Sequence, residues 1–336
     1  MLPGGPNWKK IIMDKFPSRS NLTIHFSHVA YRLSERFALR ETGINHFQTW
    51  NAEDTAARIG EGHVAVLSGL WNDGLLETAH RLQFIQVPAA GYDQFSLQAL
   101  KSRGVRLANG AGVNKNAVSE HALGLILSFT RLLHTGRDRQ RECHWRAIIS
   151  DLDSREDELG GKTLLIYGLG NIGSRLAKLA RALDMHVIGI KRDAANHDGS
   201  CHEVRDAGTF LRSLPQADFV VLTCPLTSQT ANIVNAEALA AMSPNAYLIN
   251  VARGGCVDQQ ALVAALEKKQ LAGAGIDTTV EEPLASNSPL WGLENVIITP
   301  HTAGETRRYE DNVIDILLKN LDRLWNGQSS LVNQVI

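Results

Sequence analysis

Three segments in the second half of the chain carry residues able to do chemistry on a small polar molecule. They are Asn250-Val251-Ala252-Arg253-Gly254-Gly255-Cys256-Val257-Asp258, Gly275-Ile276-Asp277-Thr278-Thr279-Val280-Glu281-Glu282-Pro283-Leu284 and Ile298-Thr299-Pro300-His301-Thr302-Ala303-Gly304. Each follows or ends an apolar run that reads as a strand, and open α/β sheets place ligands beyond the carboxyl ends of their strands. Arginine offers a planar, permanent cation matched to carboxylate and carbonyl oxygens. Histidine can deliver a proton near neutral pH. A carboxylate beside that imidazole orients the ring and favours its protonated form. Together Arg253, Glu282 and His301 suit reduction of a 2-keto acid, in which a carboxylate is held while a ketone becomes an alcohol. Taken singly, Glu281 and Glu282 also read as a solvated acidic pair, His301 as a helix cap and Arg253 as half of an ion pair.

A second constellation lies upstream. The apolar run at 163–167 leads into Gly168-Leu169-Gly170-Asn171-Ile172-Gly173 and a helical pattern over 172–183. Strand, G-x-G-x-x-G and helix in that order form a dinucleotide-binding turn. Gly168 permits the turn, Gly170 lets the backbone approach a pyrophosphate, and Gly173 lets helix and strand pack. Asn171 and Ile172 open the helix, whose free N–H groups favour phosphate. The alternative is an ordinary glycine-rich connection. The next strand, 186–190, runs into Lys191-Arg192, where an NAD site usually carries an acid. Adjacent cations attract a 2′-phosphate, so NADP(H) is the expected cofactor, with NAD(H) second. Asp193 competes as the ribose reader, and Lys191 and Arg192 also read as solvated charges.

The chain that must position these residues has 336 of them, with Lys+Arg 34 against Asp+Glu 35 and a net charge of -1. At roughly 150 residues per domain this suggests two domains. The balanced charge argues against a nucleic-acid partner. No run approaches the roughly 18 apolar residues that span a bilayer. Cys143, Cys201, Cys224 and Cys256 are far apart and form no C-x-x-C, which fits a reducing compartment. Residues 1–16 lack an apolar leader region. The expectation is a cytoplasmic protein with no membrane association.

Strands read at 22–27, 63–68, 84–88 and 105–108, with helices at 75–81 and 95–103. A long buried helix reads at 116–133 and a polar surface excursion at 137–158. A second series has strands at 163–167, 186–190, 219–223, 246–250, 272–276 and 296–299, and helices at 172–183 and 259–268. An amphipathic helix closes the chain at 309–325. Strands alternating with helices mean parallel sheets in an α/β fold. His197, Cys201 and His202 match no familiar ligand spacing, so no metal is expected. Cys256 has no paired base and does not read as a nucleophile.

The motifs at 168–173, 250–258, Asp277 with Glu282-Pro283-Leu284, and 299–304 are similar in order and spacing to those of the D-isomer-specific 2-hydroxyacid dehydrogenase family, which includes glyoxylate/hydroxypyruvate reductases. The likeness runs over residues 64–324 and is strongest at 159–304. It implies two Rossmann/flavodoxin-like parallel-sheet domains with a cleft between them. The substrate domain would be discontinuous, 1–112 with 304–336, and 113–303 would bind the dinucleotide. It implies NAD(P)H-dependent reduction of a small 2-keto acid to the D-2-hydroxy acid. Arg253 would bind substrate, Glu282 tune the histidine, and His301 donate the proton. Asp277 and Asn114 would lie on the nicotinamide side, Pro225 and Thr230 beside adenine and ribose, and Val251, Ala252, Arg253 and His301 would also bind the cofactor. Cys224 would be a wall of the adenine pocket. Ser68 and the backbone at Ala90, Gly91 and Tyr92 would receive the substrate, with Arg253 and His301.

Residues 137–150, with Trp145, occupy the place where the family builds a homodimer. Pocket shape would depend on Trp71, Tyr92, Thr279 and Trp291. Thr278-Thr279 departs from the family's usual aromatic, and the first 60 residues match poorly. A phosphite dehydrogenase on the same scaffold and a non-enzymatic dinucleotide-sensing corepressor are the rival expectations.

Overall fold

The computed structural model describes residues 16–336. The expected lack of a leader in 1–16 therefore falls, except for Phe16, outside the described residues. The chain first interleaves strands β1 (Thr23–Ser27), β2 (Asn45–Thr49), β3 (Val64–Leu67), β4 (Phe84–Gln86) and β5 (Arg106–Ala108) with helices α1 (Leu33–Ala38), α2 (Ala52–Arg58) and α3 (Leu97–Ser102). Helices α4 (Lys115–Thr130) and α5 (Leu133–Arg141) follow. Next come β6 (Thr163–Tyr167), α6 (Asn171–Arg181), β7 (His186–Lys191), β8 (Glu203–Asp206), α7 (Phe210–Ser213) and β9 (Phe219–Leu222). The chain continues through α8 (Ala236–Ala241), β10 (Tyr247–Asn250), α9 (Gln259–Glu267), β11 (Gly273–Ile276) and β12 (Val296–Ile298), and closes with α10 (Tyr309–Trp325).

These elements form two compact units, Met1–Val113 with Arg307–Ile336, and Asn114–Thr306. The first holds a parallel sheet of order β2-β1-β3-β4-β5, a doubly wound arrangement. Helix α10 buries Val313, Ile314, Leu317 and Leu321 against Ile24, Phe26 and Val66 of that sheet. Their spacing of three and four residues is that of one helical stripe. Arg36 of α1 pairs with Asp311 of α10, and Arg40, just past the end of α1, with Asp315.

The second unit holds a parallel sheet of order β12-β11-β10-β9-β6-β7-β8. The order reverses between β6 and β9, and a doubly wound sheet binds its ligand at such a reversal. Strand β6 is a continuous apolar run because both of its faces are covered. Leu164 and Ile166 pack with Ala122 and Leu125 of α4 and Leu176 of α6. Leu165 and Tyr167 join the opposite cluster, with Leu239 and Leu262. Two-layered burial of this kind is what turns the alternating α/β pattern of the sequence into two parallel-sheet domains.

Three local differences from the sequence reading have physical reasons. The helix expected at 75–81 is a short 3-10 turn, Asp73–Glu77. It buries only Leu75 and Leu76, too little to nucleate an α-helix. The polar excursion expected from 137 begins inside α5, whose described residues are all at least partly exposed. Strands β2 and β8 are sheet edges and carry the mixed sequences Asn-His-Phe-Gln-Thr and Glu-Val-Arg-Asp. Edge strands need no apolar run, so a hydrophobic pattern does not reveal them.

The first unit carries an acid-sensitive histidine. His25, on β1, is 1% exposed. The Thr55 hydroxyl donates to the Asn51 carbonyl at 2.6 Å, so Thr55 accepts from Ser27 at 2.7 Å and from Thr49 at 2.9 Å. Thr49 has then used its proton and accepts from His25 Nε2–H at 2.8 Å. His25 Nδ1 is buried without a partner. Burial and the nearby Arg58 charge outweigh the opposite pull of Glu61 and push the imidazole from 6.5 down to about 4. Between these values the unfolded chain binds a proton that the folded one does not. Stability is therefore full above about pH 6.5 and is lost as pH falls towards 4, by about 3 kcal/mol at pH 4. Burial pushes His46 and His63 in the same direction. Urea midpoints of the wild type should fall over this window, and His25→Gln should flatten the dependence. Equal pH slopes in the two proteins would remove His25 as the cause.

Candidate active site

Two positions in the turn after β6, Gly168 and Gly173, admit only glycine. Gly168 has φ +109°, and a Cβ there would sit 2.8 Å from the Cys224 nitrogen. A Cβ on Gly173 would meet the Gly168 carbonyl oxygen at 2.1 Å. Thr223 Oγ1 donates to the same carbonyl at 2.6 Å, tying the turn to the end of β9. Gly170 caps α6 without a side-chain hydrogen bond, and its Cβ position meets nothing within 4 Å. The N-terminus of α6 thus has no side-chain cap and has room beside Gly170, at the strand-order reversal. That cradle fits the pyrophosphate of a dinucleotide. Asn171 is exposed and Ile172 half-buried.

Strand β7 ends on Lys191, whose ammonium donates to the Asn196 carbonyl. Arg192 and Asp193 follow, both exposed. Beyond β9, buried Thr230 donates to the carbonyl of exposed Pro225 at 2.7 Å and accepts the Thr227 N–H at 2.7 Å. Cys224 is buried, with its sulfur 4.0 Å from that of Cys256.

Adjacent strands β10, β11 and β12 bring three of the sequence motifs together at their carboxyl ends. Asn250 ends β10; its Oδ1 accepts the Ala252 N–H and its Nδ2 donates to the Arg253 carbonyl, each at 3.1 Å. This folds a turn in which Val251 and Ala252 are buried and Arg253 is exposed. Arg253 Nη1 donates to the Ala252 carbonyl at 2.8 Å. The turn lies directly on the loop after β11, since a Cβ on Gly254 would fall 2.0 Å from the Thr279 carbonyl. Within that loop Thr279 N–H donates to Glu282 Oε1 at 3.1 Å.

The other oxygen of Glu282 lies 2.7 Å from His301 Nδ1. A carboxylate partner makes Nδ1 the donor and leaves Nε2 for another molecule. Partial burial pushes the Glu282 carboxyl up, but the His301 and Thr279 hydrogen bonds and the His301 and Arg253 charges outweigh it and hold it below the usual carboxylate range. His301 has φ +55°, in the left-handed region. Its N–H donates to the carbonyls of Asp277 at 2.8 Å and Thr299 at 3.0 Å. The Asp277 side chain, in a residue only 3% exposed, accepts the N–H groups of Thr302 and Ala303. Asn114 sits beside Gly304, whose Cβ position is 2.8 Å from Asn114 Nδ2.

The second unit therefore gathers Arg253, Asp277, Glu282 and His301 along one sheet end, with the glycine turn on the same sheet. Ser68, Ala90, Gly91 and Tyr92 belong to the first unit. There Ser68 accepts from Gln94 Nε2 at 3.0 Å, and the Ala90 carbonyl from Asn109 Nδ2 at 2.8 Å. Gly91 and Tyr92 are half-buried. Of the discounted metal group, His197 accepts the Gly199 N–H within its own turn and His202 accepts the N–H of Val187 in β7. The sequence reading leaves out two residues that join the cluster, Thr299 and His121. Thr299 Oγ1 donates to Asp277 Oδ1 at 2.6 Å, and His121 Nε2 lies 3.0 Å from that hydroxyl. Thr299 stands in a quoted motif, whereas His121 is a lone imidazole in an apolar helix, with no local signal.

Residues 123–303 match the family model of the D-isomer specific 2-hydroxyacid dehydrogenase NAD binding domain. The chain belongs to the D-isomer specific 2-hydroxyacid dehydrogenase family. Among the relatives of this dehydrogenase is a glyoxylate reductase of Pyrococcus furiosus, 32% identical over 282 residues, covering 81% of this chain and 82% of the relative. A glyoxylate reductase of Thermococcus litoralis is 34% identical over 273 residues, covering 77% and 80%. The crystal structure of a D-isomer specific 2-hydroxyacid dehydrogenase family protein from Aeromonas salmonicida superposes with a TM-score of 0.81 at 29% identity, covering 94% of this chain and 99% of that one. This dehydrogenase is thus an oxidoreductase with an NAD(P)-binding domain, of a family that interconverts 2-keto and 2-hydroxy acids. Among its described residues no helix is long and apolar enough to cross a membrane.

Proposed function

We propose that this dehydrogenase reduces a small 2-keto acid of the glyoxylate class to its D-2-hydroxy acid, preferring NADPH, with His301 as the proton donor. The observation that carries the reading is the 2.7 Å hydrogen bond between His301 Nδ1 and Glu282 Oε2. When bound, the nicotinamide cofactor supplies the hydride. Glu282 holds the imidazole in one orientation and keeps Nε2 as the nitrogen that gives its proton to the developing alkoxide. Arg253 binds the carboxylate and polarises the ketone as a fixed cation. The open cradle at Gly168, Gly170 and Gly173, with Asn171 and Ile172, takes the pyrophosphate, and Asp277, Asn114, Val251 and Ala252 the nicotinamide side. Pro225 and Thr230 take the adenosine side. In the first unit, Ser68, Ala90, Gly91 and Tyr92 take part in substrate binding.

The preference for NADPH is supported by Lys191 at the end of β7 and Arg192 next to it. A carboxylate there would repel a 2′-phosphate, whereas two cations pair with it. The glyoxylate class is supported by the names of the relatives.

Absorbance at 340 nm follows NADPH and NADH consumption with glyoxylate, hydroxypyruvate, pyruvate and phenylpyruvate. The expected result is turnover with the small acids and a kcat/KM at least about tenfold higher with NADPH, the effect of one charge-assisted contact. Equal kcat/KM values would overturn the cofactor preference. Silence with every acid would overturn the substrate class, and turnover of phosphite instead would replace it. The same preparation is expected to sediment as two chains, with Trp145 and Ile148 covered; they are 98% and 97% exposed in the single chain.

A further inference from the structure

His301 is held in its left-handed turn by Asp277, and Asp277 is in turn held by a chain of hydrogen bonds with a fixed direction. Asp277 Oδ1 accepts from Thr299 Oγ1 at 2.6 Å, from Thr302 N–H at 3.0 Å and from Ala303 N–H at 3.2 Å. Its Oδ2 accepts the Ala303 N–H at 3.1 Å. The backbone at 299–303 thus wraps around one buried carboxylate, and His301 stands in the middle of the wrapped segment. A carboxylate only accepts, so the single proton of the Thr299 hydroxyl points to Asp277. The hydroxyl's remaining capacity is as an acceptor, and His121 Nε2 lies 3.0 Å away. His121 Nε2 must therefore carry a proton and donate it. The order is His121 N–H to Thr299 O–H to Asp277 carboxylate, a chain whose links polarise one another.

His121 comes from α4, whose Leu125 packs against Gly275 of β11. The relay spans 178 residues of sequence. Its Nε2 is also 3.7 Å from Asp277 Oδ1.

We infer that His121 is a positioning residue for the reaction: through Thr299 it orients the Asp277 carboxylate that holds the 300–303 turn, and so sets His301 against Glu282. Among the described residues its polar partners are Thr299 and Asp277, so it acts through the turn. The inference rests on the proposed role of His301.

Four variants test it, each measured for kcat, for KM of the keto acid, and for cofactor dissociation by fluorescence. His121→Ala is expected to lower kcat about tenfold, the cost of one lost charge-linked hydrogen bond, with a smaller change in cofactor dissociation. His121→Gln retains an N–H donor and should recover most of the rate, which a loss of packing alone would not predict. Thr299→Val should show the same loss as His121→Ala, and the double variant should lose no more than either single one, because both break one chain. A kcat for His121→Ala within twofold of wild type would overturn the inference. So would a His121→Gln variant as slow as the alanine, or losses that multiply in the double variant. His301→Ala, run beside them, separates the two claims. If it is fast, the proton-donor reading fails; if it is slow and His121→Ala is fast, only the positioning role fails.

Discussion

His301→Ala is expected to lower kcat for keto-acid reduction by roughly 10²–10⁴-fold, the range for a positioned general acid, while cofactor dissociation changes less than about twofold. The imidazole is held at two levels. Its backbone is fixed by hydrogen bonds to the Asp277 and Thr299 carbonyls, and its ring by Glu282 at 2.7 Å. Neither contact belongs to the glycine cradle, so removing the ring removes the proton source and leaves the cradle intact. Glu282 serves as an acceptor across the working range because its hydrogen bonds hold it below the ordinary carboxylate value of 4.5. It keeps its charge as pH falls through that value and loses it only below. Protonation of Glu282 therefore cannot produce an acid limb of the rate profile above about pH 4.5. Residual turnover within about tenfold of wild type in His301→Ala would assign the proton to another group or to water.

The second large effect is at Arg253. Arg253→Ala should lower kcat/KM for the keto acid by roughly 10²–10³-fold, the scale for losing a charged group that stabilises a developing oxyanion. Arg253→Lys should recover only part of this, because an ammonium cannot present two parallel N–H groups to a carboxylate. The guanidinium stands on a turn fixed by both amide atoms of Asn250. Gly254 allows that turn to rest on Thr279, where a Cβ would lie 2.0 Å from the carbonyl. The side chain is thus presented from a rigid base, and its loss should read out on substrate rather than on folding. Steady-state kinetics with NADPH saturating and keto acid varied would show the effect in kcat/KM. An unchanged kcat/KM in Arg253→Ala would remove it from substrate binding.

Several features were legible without coordinates because they are local. A run such as Leu164-Leu165-Ile166 between turn residues reads as a doubly covered strand, and β6 is one. The spacing of Val313, Ile314, Leu317 and Leu321 reads as a helix stripe, and α10 buries those residues. The strand–glycine–helix passage at 163–181 reads as a dinucleotide turn because its chemistry lies within consecutive residues. Less was legible where a residue's surroundings come from elsewhere. Strands β2 and β8 carry no hydrophobic pattern because an edge strand can be polar. The turn at 73–77 resembles the start of a helix in sequence because of its two adjacent leucines.

For the site, the sequence determined which side chains are present and in what order: Arg253, Glu282 and His301 within motifs of characteristic spacing. Those motifs resemble the ones of the family to which the chain belongs. Tertiary structure decided the rest. Placing β10, β11 and β12 side by side brings Glu282 to His301 across 19 residues and rests Gly254 on Thr279. The same packing links His121 to Thr299 across 178 residues and buries His25 with one unpartnered nitrogen. Hydrophobic period acts over a few residues and can be read along the chain. Hydrogen bonds between distant segments depend on strand order and on which face a helix covers, and these exist only once the sheets are assembled.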